Sequence, residues 1–232
     1  MIFFLYEQEG SHFMPPINKK ELIESLWPYI SDNKRQKMTE VLQNRTRHVS
    51  VVLEDIFQPH NASAVLRTCD IFGIQDVHVA EERYKFKAIS SVAMGAAKWV
   101  DVYQHATIVD AITQLKAQDY YVVATTPHTT SCELPDLPIN KKIALVFGSE
   151  QVGLSQTAMQ HADMFVKIPM YGFVESFNIS VSVALCLYDV MTRLHKSDIT
   201  WRLPENEKDD LLLKWMSKVS QTVALLQKDK DY

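Results

Sequence analysis

The chain repeatedly passes from a short, almost continuous apolar run into a helical pattern. HVSVVLED (48–55), DVHVA (76–80), YYVVATT (120–126), IALVFG (143–148) and MFVKIPM (164–170) are the runs. Residues that are apolar on both sides of a strand leave neither face for water. Strands of that kind belong to parallel sheets covered by helices on both faces, and the alternation of strand and helix points the same way. The expected fold class is therefore α/β, a parallel sheet with helices on both faces.

The intervening segments read as helices. Asn61–Phe72 carries Asn61 or Ser63 as a cap, and Gly73 as its stop. Further helices are expected at Thr107–Gln118, Ser155–His161 and Phe177–Leu194, with a strand near Trp99–Tyr103. Outside the sheet region the pattern is helical only. Residues 19–47 repeat Leu22, Ile23, Leu26 and Ile30 at helical spacing, and Pro28 breaks them into two pieces. After Pro204 an amphipathic tail places Leu211, Leu212, Trp215, Val219 and Leu225 along one face. Three segments are expected: a helical extension over 1–47, a sheet domain over 48–196 and a helical tail over 197–232.

Several chemistries are excluded by what is missing. Six glycines form neither GxGxxG nor GxxxxGK[ST], so a standard dinucleotide fingerprint and a P-loop are both absent. Eight scattered histidines without HExxH argue against a metal centre. Cys69, Cys132 and Cys186 are far apart and odd in number, which fits a reducing cytoplasm better than a disulfide framework. MIFFLYEQEG lacks the basic start of a signal peptide, and no apolar stretch approaches the ~20 residues that cross a bilayer. No membrane partner is expected.

Three segments break the pattern, all at carboxyl ends of expected strands, where open α/β sheets bind ligands. PHNASAVLRTCDIFG (59–73) places Asn61 and Arg67 on one helix, about 9 Å apart along its axis. LVFGSEQVGLS (145–155) sets Glu150 between Gly148 and Gly153, where the backbone can turn sharply. IPMYGFVESFNISVSVALCLYDV (168–190) opens an apolar helix with Glu175, Ser176, Asn178, Ser180 and Ser182, more polar groups than one cap requires. Taken singly, each has a plain reading as caps and loops, with Ser176 the natural cap of the last helix.

Together and in this order, the three segments resemble the motifs of the SpoU–TrmH branch of the SPOUT RNA methyltransferases. The likeness runs from about Val49 to Leu194 and is closest to the TrmH type, which methylates the ribose 2′-oxygen of guanosine 18 in the tRNA D-loop. Phe177 stands where leucine is usual. The resemblance implies an α/β sheet whose C-terminal part forms a deep trefoil knot, S-adenosylmethionine as cofactor, and a homodimer with the active site at the subunit interface. It assigns the catalytic positions to Asn61, Arg67, Glu150, Ser176 and Asn178. It assigns cofactor contacts to Thr125, Thr126, Pro127, Gly148, Ile168, Met170, Asn178 and Ile179, largely through backbone groups. Arg67 remains protonated in a protein, so holding a phosphate and stabilising alkoxide charge suit it better than acting as a base.

The formal charge of −4 supplies no general attraction for RNA, so binding must come from local patches. The candidates are Lys34, Arg35, Lys37, Arg45 and Arg47 ahead of the first strand, and Arg193, Lys196 and Arg202 after the last helix motif. Lys85, Lys87 and Lys98 lie between the first two motifs. Only residues 1–47 precede the first strand, which favours tRNA. A ribosomal-RNA methyltransferase is the first alternative, and a non-catalytic knotted RNA-binding protein the second.

Overall fold

A computed structural model describes residues 18–88, 93, 95–127 and 132–228. The expected N-terminal extension therefore lies partly outside the described residues, and MIFFLYEQEG lies there entirely. The chain forms two compact units, Lys37–Pro204 and a second one joining Met1–Gln36 with Glu205–Tyr232.

The larger unit holds a sheet of seven strands. These are β1 (Val49–Glu54), β2 (Asp76–Ala80), β3 (Asp101–His105), β4 (Tyr121–Thr125), β5 (Cys132–Glu133), β6 (Ile143–Phe147) and β7 (Met164–Lys167). Their order is β3-β2-β1-β6-β4-β7-β5, and every pairing is parallel. Val51 faces Val77 on one side of β1 and Leu145 on the other. Because the sheet is wholly parallel, the carboxyl ends of β2, β1, β6, β4 and β7 line up along one edge, and the loops leaving them are neighbours there.

Successive residues of β1 serve opposite faces, as a pleated strand requires. Val49, Val51 and Leu53 join Val77, Val123 and Leu145 beneath α3 (Pro59–Ile71) and beneath a 17-residue helix at Ile179–His195, called α6 below. Val65, Leu66 and Cys69 of α3 and Val183, Leu187 and Val190 of α6 fill that layer. Val52, with Ala80, Val122, Ala144 and Val146, packs on the other face against Ile108, Ala111, Ile112 and Leu115 of α4 (Ile108–Lys116) and Ala158 of α5 (Gln156–His161).

The expected elements are present with shifted ends. β3 starts at Asp101 because Ala96–Lys98 form a turn of 3-10 helix ahead of it. The two-residue strand β5 sits in what the sequence presents as a Pro-rich loop. Gly73 does terminate α3: its φ is +76°, and a Cβ there would meet the Asn44 carbonyl oxygen at 2.2 Å. Two capping expectations change. Asn61 lies inside α3, whose cap position is Gln58, and α6 is capped by Asn178 rather than Ser176.

The larger unit also reaches beyond 48–196 at both ends. Thr46 bridges Ile74 in parallel and Arg202 antiparallel, and Trp201 belongs to the core. The second unit is built from α1 (Lys19–Leu26), capped by the Asn18 side chain, and the tail helices α7 (Glu205–Val219) and α8 (Gln221–Lys228). α2 (Asp32–Leu42) runs across the boundary between Gln36 and Lys37. The single expected tail helix is thus divided, and the Gln227 side chain donates back to the Leu213 carbonyl at 3.1 Å. Leu211, Leu212, Trp215, Met216 and Val223 are buried, whereas Leu225 is exposed.

A polar cluster interrupts the second face of the sheet. His78 Nδ1 lies 2.9 Å from His105 Nε2, and the two rings stack, as do His78 and Tyr103. Burial, and secondarily the neighbouring His105, lowers the His78 pKa from 6.5 to about 4. Burial also lowers that of His105, with Asp110 opposing. The unfolded chain therefore takes up a proton near pH 6.5 that folded His78 refuses until about pH 4. Folding stability falls as pH falls through that window, by roughly 2–3 kcal/mol for a shift of this size. Urea denaturation at pH 7 and pH 4.5 is expected to show this loss, with a smaller one in His78→Gln.

Candidate active site

The three sequence motifs converge. Glu150, in the loop after β6, accepts hydrogen bonds from the backbone N–H groups of Phe57 (3.1 Å) and Gln58 (3.3 Å), at the start of α3. It also accepts from Asn61 Nδ2 at 2.8 Å. Asn61 Oδ1 in turn accepts from Asn178 Nδ2 at 3.2 Å. Asn178 Oδ1 then takes the N–H (2.9 Å) and hydroxyl (2.6 Å) of Ser180, capping α6. One chain of hydrogen bonds, Glu150–Asn61–Asn178, thus joins residues 89 and 117 positions apart.

Each link answers a local need. The first turn of a helix has N–H groups without intrahelical partners. Gln58 makes no side-chain cap bond at α3, so Glu150 serves from another loop. Burial raises the Glu150 pKa, but donation from Asn61 and from backbone N–H groups outweighs it, and the net shift is downward. A carboxylate in this position stays ionised and accepts on both oxygens. The amide of Asn61 is suited to the middle place because it donates to Glu150 and accepts from Asn178 at once.

The second-motif loop is shaped by Gly148 and Gly153. Ser149 and Gly153 exchange backbone hydrogen bonds, and a Cβ on Gly148 would lie 2.1 Å from the Gly153 carbonyl carbon. Glu54, at the end of β1, fastens the far end of this loop by accepting the Ser155 N–H at 2.8 Å. Its pKa is raised by burial. Sequence reading missed Glu54. Its signal was a carboxylate closing a strand that is otherwise almost wholly apolar.

The remaining candidates are placed as follows. Thr125 Oγ1 donates to the Val146 carbonyl at 2.8 Å and the Thr126 N–H to Val166 at 3.0 Å, so the loop leaving β4 is held between β6 and β7. Pro127 is exposed, Gly148, Ile168 and Met170 are half-buried, and Ile179 is buried. These positions belong to three neighbouring strand ends, β6, β4 and β7, and to the helix start beyond them. Arg67 and Ser176 stand apart from the hydrogen-bond chain. Both are exposed, and among the described residues Arg67 makes no hydrogen bond or ion pair within the chain. Along the third motif Tyr171 and Phe173 are almost fully exposed and Val174 largely so.

The expected cationic patches divide. Arg45 is wholly buried and paired with Asp70, so it stabilises the fold and offers no charge to a phosphate. Arg47 is consumed by Asp76 (2.9 Å) and Asp101 (3.3 Å). Arg193 binds Asp189 and donates to the carbonyls of Leu137 (2.7 Å) and Leu134 (3.2 Å), clamping the segment after β5 onto α6. All three arginines are thus engaged within the fold, Arg45 by Asp70 of α3, Arg47 by two strand aspartates, and Arg193 by Asp189 of its own helix and two carbonyls near β5. Lys34, Arg35, Lys37, Lys196 and Arg202 are exposed; Arg35 lies over the Trp27 ring and Arg202 over that of Trp201. Among the described residues no cluster of His, Cys, Asp or Glu could hold a metal ion, and no helix is long and apolar enough to cross a membrane.

Comparison with known proteins agrees with the family resemblance. The SpoU rRNA Methylase family model matches residues 48–188. A tRNA (guanosine(18)-2′-O)-methyltransferase of Borreliella burgdorferi is 42% identical over 199 residues, covering 86% of this chain and 91% of that protein. The enzyme of the same name from Escherichia coli K12 is 32% identical over 192 residues, covering 81% and 84%. Among solved structures, the A. aeolicus TrmH/SpoU tRNA modifying enzyme superposes with a TM-score of 0.73 at 29% identity, over 81% of this chain and 96% of that one.

The geometry separates the two motif-one residues. Asn61→Ala removes both central hydrogen bonds and is expected to cost about 1–3 kcal/mol of stability. Arg67→Ala, at an exposed position, should stay within about 0.5 kcal/mol of the parent. Urea titration of both variants measures the contrast.

Proposed function

The chain belongs to the SpoU rRNA Methylase family, and from that premise we propose that it methylates the ribose 2′-oxygen of guanosine 18 in the tRNA D-loop, with S-adenosylmethionine as methyl donor. The observation that carries the reading is the Glu150–Asn61–Asn178 chain, which draws all three motifs to one sheet edge. The full-length relatives named for guanosine 18 favour tRNA over ribosomal RNA.

The residues at the β6, β4 and β7 ends fit the donor. Half-buried Ile168 and Met170 and buried Ile179 offer apolar surface for a nucleoside, and the loops around Thr125–Pro127 and Gly148 offer backbone groups. When bound, S-adenosylmethionine supplies a methyl group on a sulfonium, already activated for in-line displacement. The protein's task is then to position the 2′-hydroxyl and to stabilise the charge that develops on its oxygen.

Arg67 takes that task in our reading. Its guanidinium holds the adjacent phosphate through paired N–H donors and stabilises the developing alkoxide. Glu150 and Asn61 hold the start of α3, and with it the helix that carries Arg67. Asn178 joins this helix to α6 and to the start of the third motif. Ser176 is assigned a substrate hydrogen bond, since the capping role belongs to Asn178.

The proposal includes a homodimer. Arg67 lacks a partner among the described residues, and the exposed Tyr171, Phe173, Val174 and Phe177 form an apolar stretch beside the candidate site. A second copy would cover that stretch and complete the site at the interface. The family's trefoil knot belongs to the same reading, as does a site of action in the cytoplasm.

Incubation with labelled S-adenosylmethionine and unmodified tRNA transcripts, followed by nuclease mapping, tests the assignment. Label is expected as 2′-O-methylguanosine at position 18. Label on ribosomal RNA alone would transfer the reading to that substrate, and absence of cofactor binding would end the enzyme reading. Arg67→Lys is expected to lower kcat at least roughly 100-fold, because the lysine ammonium lacks the planar fork of donors. Retention of most turnover would remove that role.

A further inference from the structure

The loop leaving β2 carries three cations and an aromatic ring next to the candidate active site, and its fastening is specific. Asp55 adopts a left-handed conformation, φ +50°, directly after β1. Its Oδ1 accepts the N–H groups of Arg83 (2.7 Å) and Tyr84 (3.4 Å). Glu81 accepts from the Phe86 N–H (3.0 Å), Gln104 (3.1 Å) and Lys85 (3.1 Å). Glu82 holds the Ile108 N–H at 2.9 Å. The three carboxylates of this region are thus committed to holding the loop and the start of α4.

The basic side chains of the loop are exposed, as is Glu82. The side chains of Arg83, whose Nε lies 3.9 Å from an Asp55 carboxylate oxygen, and of Lys85 are 63% and 77% exposed, and Lys87 is exposed too. Between this loop and the active site stands Phe57, whose ring is 47% exposed and meets Tyr84 edge-on at 4.9 Å. The backbone N–H of Phe57 is one of the donors to Glu150. A phenylalanine left half in water, meeting a second ring in a loop that carries three exposed cations, is the combination that binds single-stranded nucleic acid: a stacking face with phosphate partners nearby.

We propose that Phe57 and Tyr84, with Arg83, Lys85 and Lys87, form a landing site for an unpaired stretch of the RNA substrate beside the methylated nucleotide. A base stacks on Phe57, and the cations hold the flanking phosphates. The inference rests on the RNA-methylation reading and deepens it, by placing the RNA over the β1 and β2 ends while the proposed donor site occupies the β6, β4 and β7 ends.

The test compares Phe57→Leu, Phe57→Tyr and the triple variant Arg83→Ala/Lys85→Ala/Lys87→Ala in the full chain. KM and kcat are measured on a tRNA transcript, with binding of a fluorescein-labelled single-stranded oligoribonucleotide in parallel. Loss of a stacked base should raise KM and weaken oligonucleotide binding about tenfold in Phe57→Leu. Phe57→Tyr keeps the ring and should stay within about twofold of the parent. kcat and cofactor affinity should hold in all three. The triple variant should lower the slope of log affinity against log salt by about 2, at ~0.7 for each phosphate that is no longer neutralised.

Unchanged oligonucleotide binding and KM in Phe57→Leu and in the triple variant would overturn the proposal. So would a change of molecular mass by light scattering in Phe57→Leu, which would assign the ring to a contact between copies of the chain. If the parent transfers no methyl group to tRNA, the function reading fails by itself. The oligonucleotide arm still decides the landing site.

Discussion

The candidate site depends on one amide. Asn61 donates to Glu150 and accepts from Asn178, and so ties the start of one helix to the start of another across a loop from a third strand. Neither an aspartate nor a hydroxyl can do the same in this place. A carboxylate would face Glu150 as a like charge, and a hydroxyl is too short to reach both partners. The arrangement puts the N-termini of α3 and α6 under the control of side chains from other motifs, so loop geometry and helix orientation are coupled.

That coupling is useful because the sheet is wholly parallel. Every strand delivers its carboxyl end to the same edge, and the order β2-β1-β6-β4-β7 sets the sequence of loops along it. The cationic loop, the start of α3, the Glu150 loop and the two loops proposed for the cofactor are neighbours for that reason alone. Acids fasten this edge: buried Glu54 holds Ser155, buried Asp55 holds Arg83, and half-buried Glu150 holds Phe57 and Gln58. Each uses backbone N–H donors that would otherwise lack partners, which is a stronger constraint than apolar contact because hydrogen bonds are directional.

Most of the sheet was legible in the sequence, since each of the long strands is an apolar run bounded by turn residues. β5 was not, because two residues carry no periodicity. Membership of the site was legible only through the family pattern. Asn61, Glu150 and Asn178 look like ordinary caps and loop residues one at a time, and two of the expected caps were in fact elsewhere. The cations mislead in the opposite direction. In sequence, Arg45 and Arg47 extend a run with Lys34, Arg35 and Lys37. In the fold, Asp70, Asp76 and Asp101, brought in from other elements, take up the two arginines.

The sequence by itself determined the α/β class, the positions of the strands, the stop of α3 at Gly73 and the residue types available for chemistry. These follow from local rules: side-chain period, backbone freedom and the donor inventory of each residue. Tertiary structure alone decided which polar groups spend themselves inside the protein and which remain available. That choice rests on contacts between residues tens of positions apart, such as Arg45 with Asp70 and Asn61 with Asn178. A side chain's free charge or hydrogen-bonding capacity is what remains after such partners are met, and the partners come together only when the sheet closes.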